Sequence, residues 1–293
     1  WPRLVFDAWR RGVPVFCVSA RVYPRDVPRY RAVRTWIAPT LKRLAGVLAQ
    51  NEGERVRFIQ LGAEPERCVV AGNLKHLPDD PAPDAGPAMR KTLGVDPDER
   101  VVVFGSVHAD ETDVVATVLN RLEASGVRVI VAPRHASSAG RMVAGLQRRG
   151  ARVWRRTSGV PPPRWRVLVL DTVGELRQAY AMSTVAVVGG GFGTHGGQNP
   201  MEPVRAGVPV IFGPHGEHFA DEFRTLAAVA PEARVASTAE LSARLHEWLG
   251  DEEHRRLVAL AQRESLADGA AVASRYLAIL APWLQQCGIS VQG

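Results

Sequence analysis

The 293-residue sequence predicts a doubly wound α/β fold built on parallel sheets, and three observations carry that reading. Short apolar runs rich in Val and Ile, at 101–105, 127–132, 166–170, 185–188 and 208–212, alternate with stretches of helical periodicity, the pattern of strands covered on both faces. Polar and glycine residues follow those runs directly: Ser106 and His108, Pro133 to His135, the turn at 171–176, and Gly189 onward. Open parallel sheets bind ligands at those carboxyl ends. Third, the rhythm breaks once, at LPDDPAPDAGP (77–87), where four prolines and three aspartates can continue neither strand nor helix.

The elements follow in order. Apolar runs at 13–18, 46–49 and 68–71, separated by arginine-rich helical stretches, belong to a first domain over residues 1–76. A linker is expected over 77–88, a second α/β domain over 89–265, and a helix over 266–293 packing back across both domains. The opening WPRLVFDAWRRGVPV reads as mid-helix running into a strand, so further chain is expected upstream of Trp1; a small cap domain is the alternative.

Composition narrows the function. At 46% hydrophobic residues the chain can bury one large core or two ordinary ones, and no apolar run approaches the roughly 20 residues that span a bilayer. Cys17, Cys68 and Cys287 are far apart and lack metal-ligand spacing, which predicts reduced thiols in a cytosolic setting. The net charge of +7 favours anionic partners without choosing one. No stacking motif or zinc finger accompanies the arginine clusters at 21–34 and 152–156, so nucleic acid is not expected; most of these arginines read as a solvated basic face, with attraction to an anionic membrane surface as the second reading.

The segment VGGGFGTHGGQNPMEPVRAGVPVIFGP (188–214) carries the most chemistry. A strand runs into glycine turns and then a helix opened by Asn199 and Pro200, so main-chain amides and the positive helix end face an incoming phosphate. Glu202 in the first turn would accept hydrogen bonds from paired ribose hydroxyls; a tight structural connection is the competing reading. His195, His215 and His218 lie nearby, but their irregular spacing predicts no metal site.

GNLK at 72–75, PRH at 133–135, DTVGEL at 171–176, and GGQNPMEP followed by GVPVIFGP together resemble the 3-deoxy-D-manno-octulosonic acid (Kdo) transferases of lipid A assembly. The opening WPRLVFDAWRRGVPVFCVSARV and the passage VLAQNEGERVRFIQLGAEPERCVVAGNLK extend the resemblance over nearly the whole chain. It implies a GT-B glycosyltransferase: a complete carboxyl-terminal Rossmann-like domain that binds CMP-Kdo, and the remaining part of an amino-terminal one. Pro133 and Arg134 are implied in binding CMP, with His135 a weaker candidate. Val173, Gly174 and Glu175 form the turn that reads the base, and Asn199, Pro200, Met201 and Glu202 the phosphate and ribose part. Lys75 is implied as the cation that stabilises charge as CMP leaves. Ser106 and His108 are further donor candidates, although the family's GSTH stands here as GSVH. Val173 replaces a common methionine, and Gln198 stands where many relatives have histidine.

The implied reaction is inverting, metal-independent transfer of Kdo from CMP-Kdo to a lipid A precursor, lipid IVA, at the cytoplasmic face of the inner membrane, without cofactor. The family's base is a glutamate near the start of the first domain and is expected outside this chain, as is the membrane anchor. The chain is therefore expected to bind CMP-Kdo but to transfer sugar poorly by itself. Two other classes stand beside this one: another GT-B enzyme such as a UDP-sugar transferase or epimerase, and an inactive nucleotide-binding module.

Overall fold

A computed structural model describes residues 2–74, 80–122, 126–266, 269–286 and 288. The chain divides into two compact units, Trp1–Pro78 with Ala267–Gly293, and Asp79–Leu266.

The first unit holds a three-stranded parallel sheet in the order β1 (Phe16–Ala20), β2 (Gly46–Ala49), β3 (Cys68–Val70). Residues 13–15 of the expected first strand fall outside β1, where Pro14 has no amide to donate to a ladder. Helices α1 (Pro2–Arg10), α2 (Val27–Ala32), α3 (Arg34–Leu41) and α4 (Glu52–Leu61) surround it. Asn51 caps α4 by accepting from the Glu54 amide, and Gly62 ends it at φ 109°, packed against Ala38. The last helix, α13 (Gly269–Gln286), belongs to this unit. Its Tyr276 hydroxyl accepts from the Ser19 amide (2.8 Å) and donates to the Gly72 carbonyl (3.0 Å), while Val272 covers Gly72 so closely that no side chain fits there. Cys17 and Cys68 are free thiols, each raised above its ordinary pKa by burial; Cys287 lies outside the described residues.

The second unit is built on a six-stranded parallel sheet in the order β6-β7-β5-β4-β8-β9: β4 (Val101–Val107), β5 (Arg128–Pro133), β6 (Val153–Arg155), β7 (Val167–Val169), β8 (Val185–Val188) and β9 (Val210–Phe212). The apolar runs of the central strands are buried, as strands covered on both faces require, and only Ser106 and Pro133 near their carboxyl ends are partly exposed. The edge strand β6 falls inside the arginine-rich 152–156 segment, where three residues with exposed arginine at the end carry no apolar run to announce a strand. At the other edge the wholly buried Gln262 of α12 (Glu252–Glu264) accepts from the Val210 amide (2.9 Å) and donates to its carbonyl (3.1 Å), so β9 offers no free ladder there.

The linker expectation is corrected at its end. Helix α5 (Ala85–Leu93) starts inside the 77–88 segment, and its Gly86 lies against the Ala181 carbonyl of α8 (Leu176–Met182), leaving no room for a β-carbon.

Candidate functional site

Strand order reverses between β4 and β8, whose carboxyl ends flank the crevice where such sheets hold ligands. Glycines let the two ends approach. A β-carbon on Gly189 would lie 2.7 Å from the Ser106 carbonyl and from Val107 Cα, and one on Gly105 would strike the buried Tyr180 hydroxyl. The Gly189 amide donates to the Gly105 carbonyl (2.9 Å). Ser106 sits at φ 55°, a conformation uncommon for a side-chain-bearing residue, at a shift in the β4–β5 register.

Beyond Val188 the chain turns through the glycines, and the hydrogen bonds there revise the reading of an open amide cradle. Gly190 and Phe192 donate their amides to the two oxygens of Glu111 (2.7 and 3.0 Å), and the Gly197 amide donates to the Gly190 carbonyl (2.9 Å). These donors are satisfied inside the protein. The amides of residues 193–196 make none of these bonds. The glycine segment is further tied to the loop after β9 by the His215 amide on the Gly191 carbonyl (3.1 Å) and the His218 amide on Gly196 (2.8 Å). Beside it opens a groove of about 500 Å³ over Phe223 and Ala220, rimmed by Arg224 and Arg234.

The helix that follows is also corrected. α9 spans only Met201–Arg205, with Pro200 rather than Asn199 at the N-cap position. Asn199 still satisfies the first turn: its Oδ1 accepts from the Met201 amide (3.1 Å) and its Nδ2 donates to Glu202 Oε1 (3.3 Å). Pro200 and Met201 are buried. Below, burial and the Glu202 carboxylate together push the Tyr180 phenol far above its ordinary value.

His108 opens the β4–α6 loop, where α6 is Thr112–Arg121. The His108 amide donates to Glu111 (2.9 Å), and Gln198 Nε2 meets His108 Nε2 at 3.1 Å. The His195 ring stacks on His108 at 3.7 Å, and His135 stands edge-on at 6.2 Å. Burial, helped by the neighbouring His195, lowers the His108 pKa against the opposing pull of Glu111 and Asp110. The histidine grouping read from the sequence therefore changes membership. His195 Nε2 meets both Asp110 oxygens at 3.0 Å, whereas His215 pairs with Glu217 at 3.5 Å. Among the described residues His108, Asp110 and His195 place ligand-type atoms close together, but the two rings lie 6° from parallel. Imidazole lone pairs lie in the ring plane, so stacked rings do not converge on one ion unless a ring turns.

The remaining candidates line the same sheet edge. Pro133 ends β5, and Arg134 follows with its amide on the Val107 carbonyl (2.8 Å); its exposed guanidinium has no partner among the described residues. His135 is exposed, and its carbonyl, not its ring, caps the following turn by accepting from the Ser138 amide (2.9 Å). After β7, Asp171 accepts from the Thr157 amide (2.9 Å), the Thr157 hydroxyl (2.7 Å) and Arg155 Nε (2.8 Å). Burial alone would raise its pKa; these bonds outweigh burial and hold it below the ordinary carboxylate range. Val173 is 91% exposed and Gly174 turns at φ 91° with open space where a side chain would stand. Glu175 is engaged by Arg156 (3.0 Å) and the Thr172 hydroxyl. Lys75 lies outside the described residues.

Sequence reading missed Glu111. The signal was present, since His108 and Glu111 stand at the spacing of a capping box, but the carboxylate's main partners lie 79 and 81 residues away.

The fold matches that of WaaG, a glycosyltransferase involved in lipopolysaccharide biosynthesis, with a TM-score of 0.53 over 92% of this chain and 75% of that one; at 14% identity the match shows the fold alone. Two parallel-sheet units, the larger carrying a polar strand-end crest at its switch point, have the architecture of the GT-B fold. Residues 1–77 match the family model of the 3-deoxy-D-manno-octulosonic-acid transferases. The enzyme of that name from Bordetella pertussis is 32% identical over 296 residues, 97% of this chain and 67% of the relative. The C-terminal CMP-Kdo binding domain of WaaA from Acinetobacter baumannii superposes with a TM-score of 0.57 at 25% identity, over 63% of this chain and 97% of that domain. The chain belongs to the Kdo transferase family.

Proposed function

We propose that the second unit binds CMP-Kdo along the carboxyl edge of its sheet, for inverting, metal-independent transfer of Kdo to a lipid A precursor, lipid IVA. The observation that carries the reading is the line of His108, Arg134, the Gly174 turn and the Asn199–Glu202 helix start along one sheet edge. The solved relative named as a CMP-Kdo binding domain supports the choice of donor. In this reading the exposed Arg134 guanidinium takes the phosphate or the sugar carboxylate in a bidentate pair. Glu202, held by Asn199, accepts the ribose hydroxyls, and the open Gly174 turn lets main-chain groups meet the cytosine edge. By the family resemblance Lys75 is the residue proposed to supply positive charge as CMP departs. No helix among the described residues is long and apolar enough to cross a membrane. Work at the cytoplasmic face of the inner membrane is proposed from the membrane-embedded nature of the acceptor and from the basic, tryptophan-bearing surface of the first unit.

Calorimetric titration tests the donor site. CMP is expected to bind more tightly than UMP, with Glu202→Ala and Arg134→Ala each weakening CMP by about tenfold or more. Equal binding of CMP and UMP, or a preference for UDP, would overturn the reading in favour of another GT-B donor. Chelation by EDTA is expected to leave CMP binding unchanged.

A further inference from the structure

Glu111 is 2% exposed, and its carboxylate accepts three main-chain amides: that of His108 in its own turn, and those of Gly190 and Phe192 in the distant glycine segment. No residue of the described donor candidates does as much to join the end of β4 to the glycine segment. A buried carboxylate is costly unless each oxygen is well hydrogen-bonded, and charge-assisted bonds to amides are among the stronger ones available. The geometry therefore points to a cost that the loop itself offsets. Glu111 acts as a built-in anion: it takes the first amides of the glycine segment and fixes the path of the residues after them.

We propose that Glu111 is the positioning residue of the phosphate subsite, setting the glycine segment so that residues 193–196 meet the donor's phosphate. The proposal rests on the reading of this edge as the CMP site. Its logic is one of donors and acceptors. A glutamine at this position has one acceptor oxygen where the carboxylate has two, and its amide nitrogen would face an N–H of Gly190, Phe192 or His108, a donor against a donor. The loop must then move from the path that Gly189, packed against the backbone of Ser106 and Val107, otherwise enforces.

The test separates phosphate recognition from general stability by comparing CMP with cytidine, which lacks the phosphate. In Glu111→Gln, CMP affinity is expected to fall about tenfold while cytidine affinity changes less than about twofold. Hydrogen exchange is expected to quicken in the 189–197 segment and to stay slow in β4 and β5. Glu111→Asp keeps the charge but is a methylene shorter; it is expected to show a smaller loss of the same selectivity, and it decides the matter if the glutamine variant does not fold. Equal losses for CMP and cytidine, or unchanged CMP binding in a folded variant, would overturn the proposal. If the unaltered protein binds CMP no better than cytidine, the site reading fails and takes this proposal with it. If the unaltered protein prefers CMP and the variants keep that preference, only the role of Glu111 fails.

Discussion

Asp171 begins the turn that presents Gly174, yet its own chemistry is structural. Its carboxylate draws in Thr157 and Arg155, and so joins the end of β7 to the segment after β6. Because its folded pKa lies below the ordinary value of 3.8, it contributes stability that is fully present above that value and is lost as pH falls through the lower, folded one. Asp171→Asn leaves one acceptor for three donors and is expected to cost about 2 kcal/mol near neutral pH. The variant should also lose part of the acid-side slope in a chemical-denaturation series run from pH 6 down to about pH 3. An unchanged midpoint at neutral pH would show that Thr157 and Arg155 find water as readily as the carboxylate. At Arg134, by contrast, the expected loss is in ligand affinity, because its exposed guanidinium has no partner among the described residues.

The glycines show how elements converge on the site, and they are not equivalent. At Gly189 the obstacle is the backbone of Ser106 and Val107 at the end of β4, so Gly189→Ala must part β4 from β8; a loss of about 1–3 kcal/mol is expected, together with weaker CMP binding. Gly174 has open space around it and only its φ of 91° to defend, so Gly174→Ala is expected to cost about 1 kcal/mol. Thermal unfolding of the pair ranks them, and a larger loss at Gly174 would contradict the packing argument. This contrast also marks what the sequence made legible. The Val-rich runs gave β4, β5 and β8 to within a residue or two, because strands buried on both faces have no polar alternation to blur them. The edge strand β6 was hidden by arginines, and α9 was drawn one residue early, because Asn199 satisfies the turn from just outside it. The use of the loop amides was not legible at all. It depends on a partner, Glu111, brought near only by sheet order.

At the scale of the whole molecule, an excess of seven positive charges and a set of exposed aromatics meet in the first unit. Trp36 of α3 is 82% exposed, and Leu4 and Trp9 of α1 are 59% and 53% exposed. Arg43 lies over Phe6 at 4.0 Å and over Trp9 at 4.8 Å, so cation and ring are presented together on this surface. Tryptophan and arginine are the side chains that suit a headgroup layer, where the ring enters the interface and the cation meets phosphate. Binding of the chain to vesicles containing anionic lipid should therefore have two separable parts. The electrostatic part is worth about 1 kcal/mol per basic residue near the surface and falls steeply as salt rises from about 0.1 to 0.5 M. The part due to Trp36 is insensitive to salt, so Trp36→Ala should weaken binding by a similar factor, about tenfold, at every salt concentration. Vesicles of neutral lipid should retain only the second part. Binding that is equally strong on neutral and anionic vesicles, or a Trp36→Ala effect that vanishes at high salt, would show that this surface does not meet lipid through these groups.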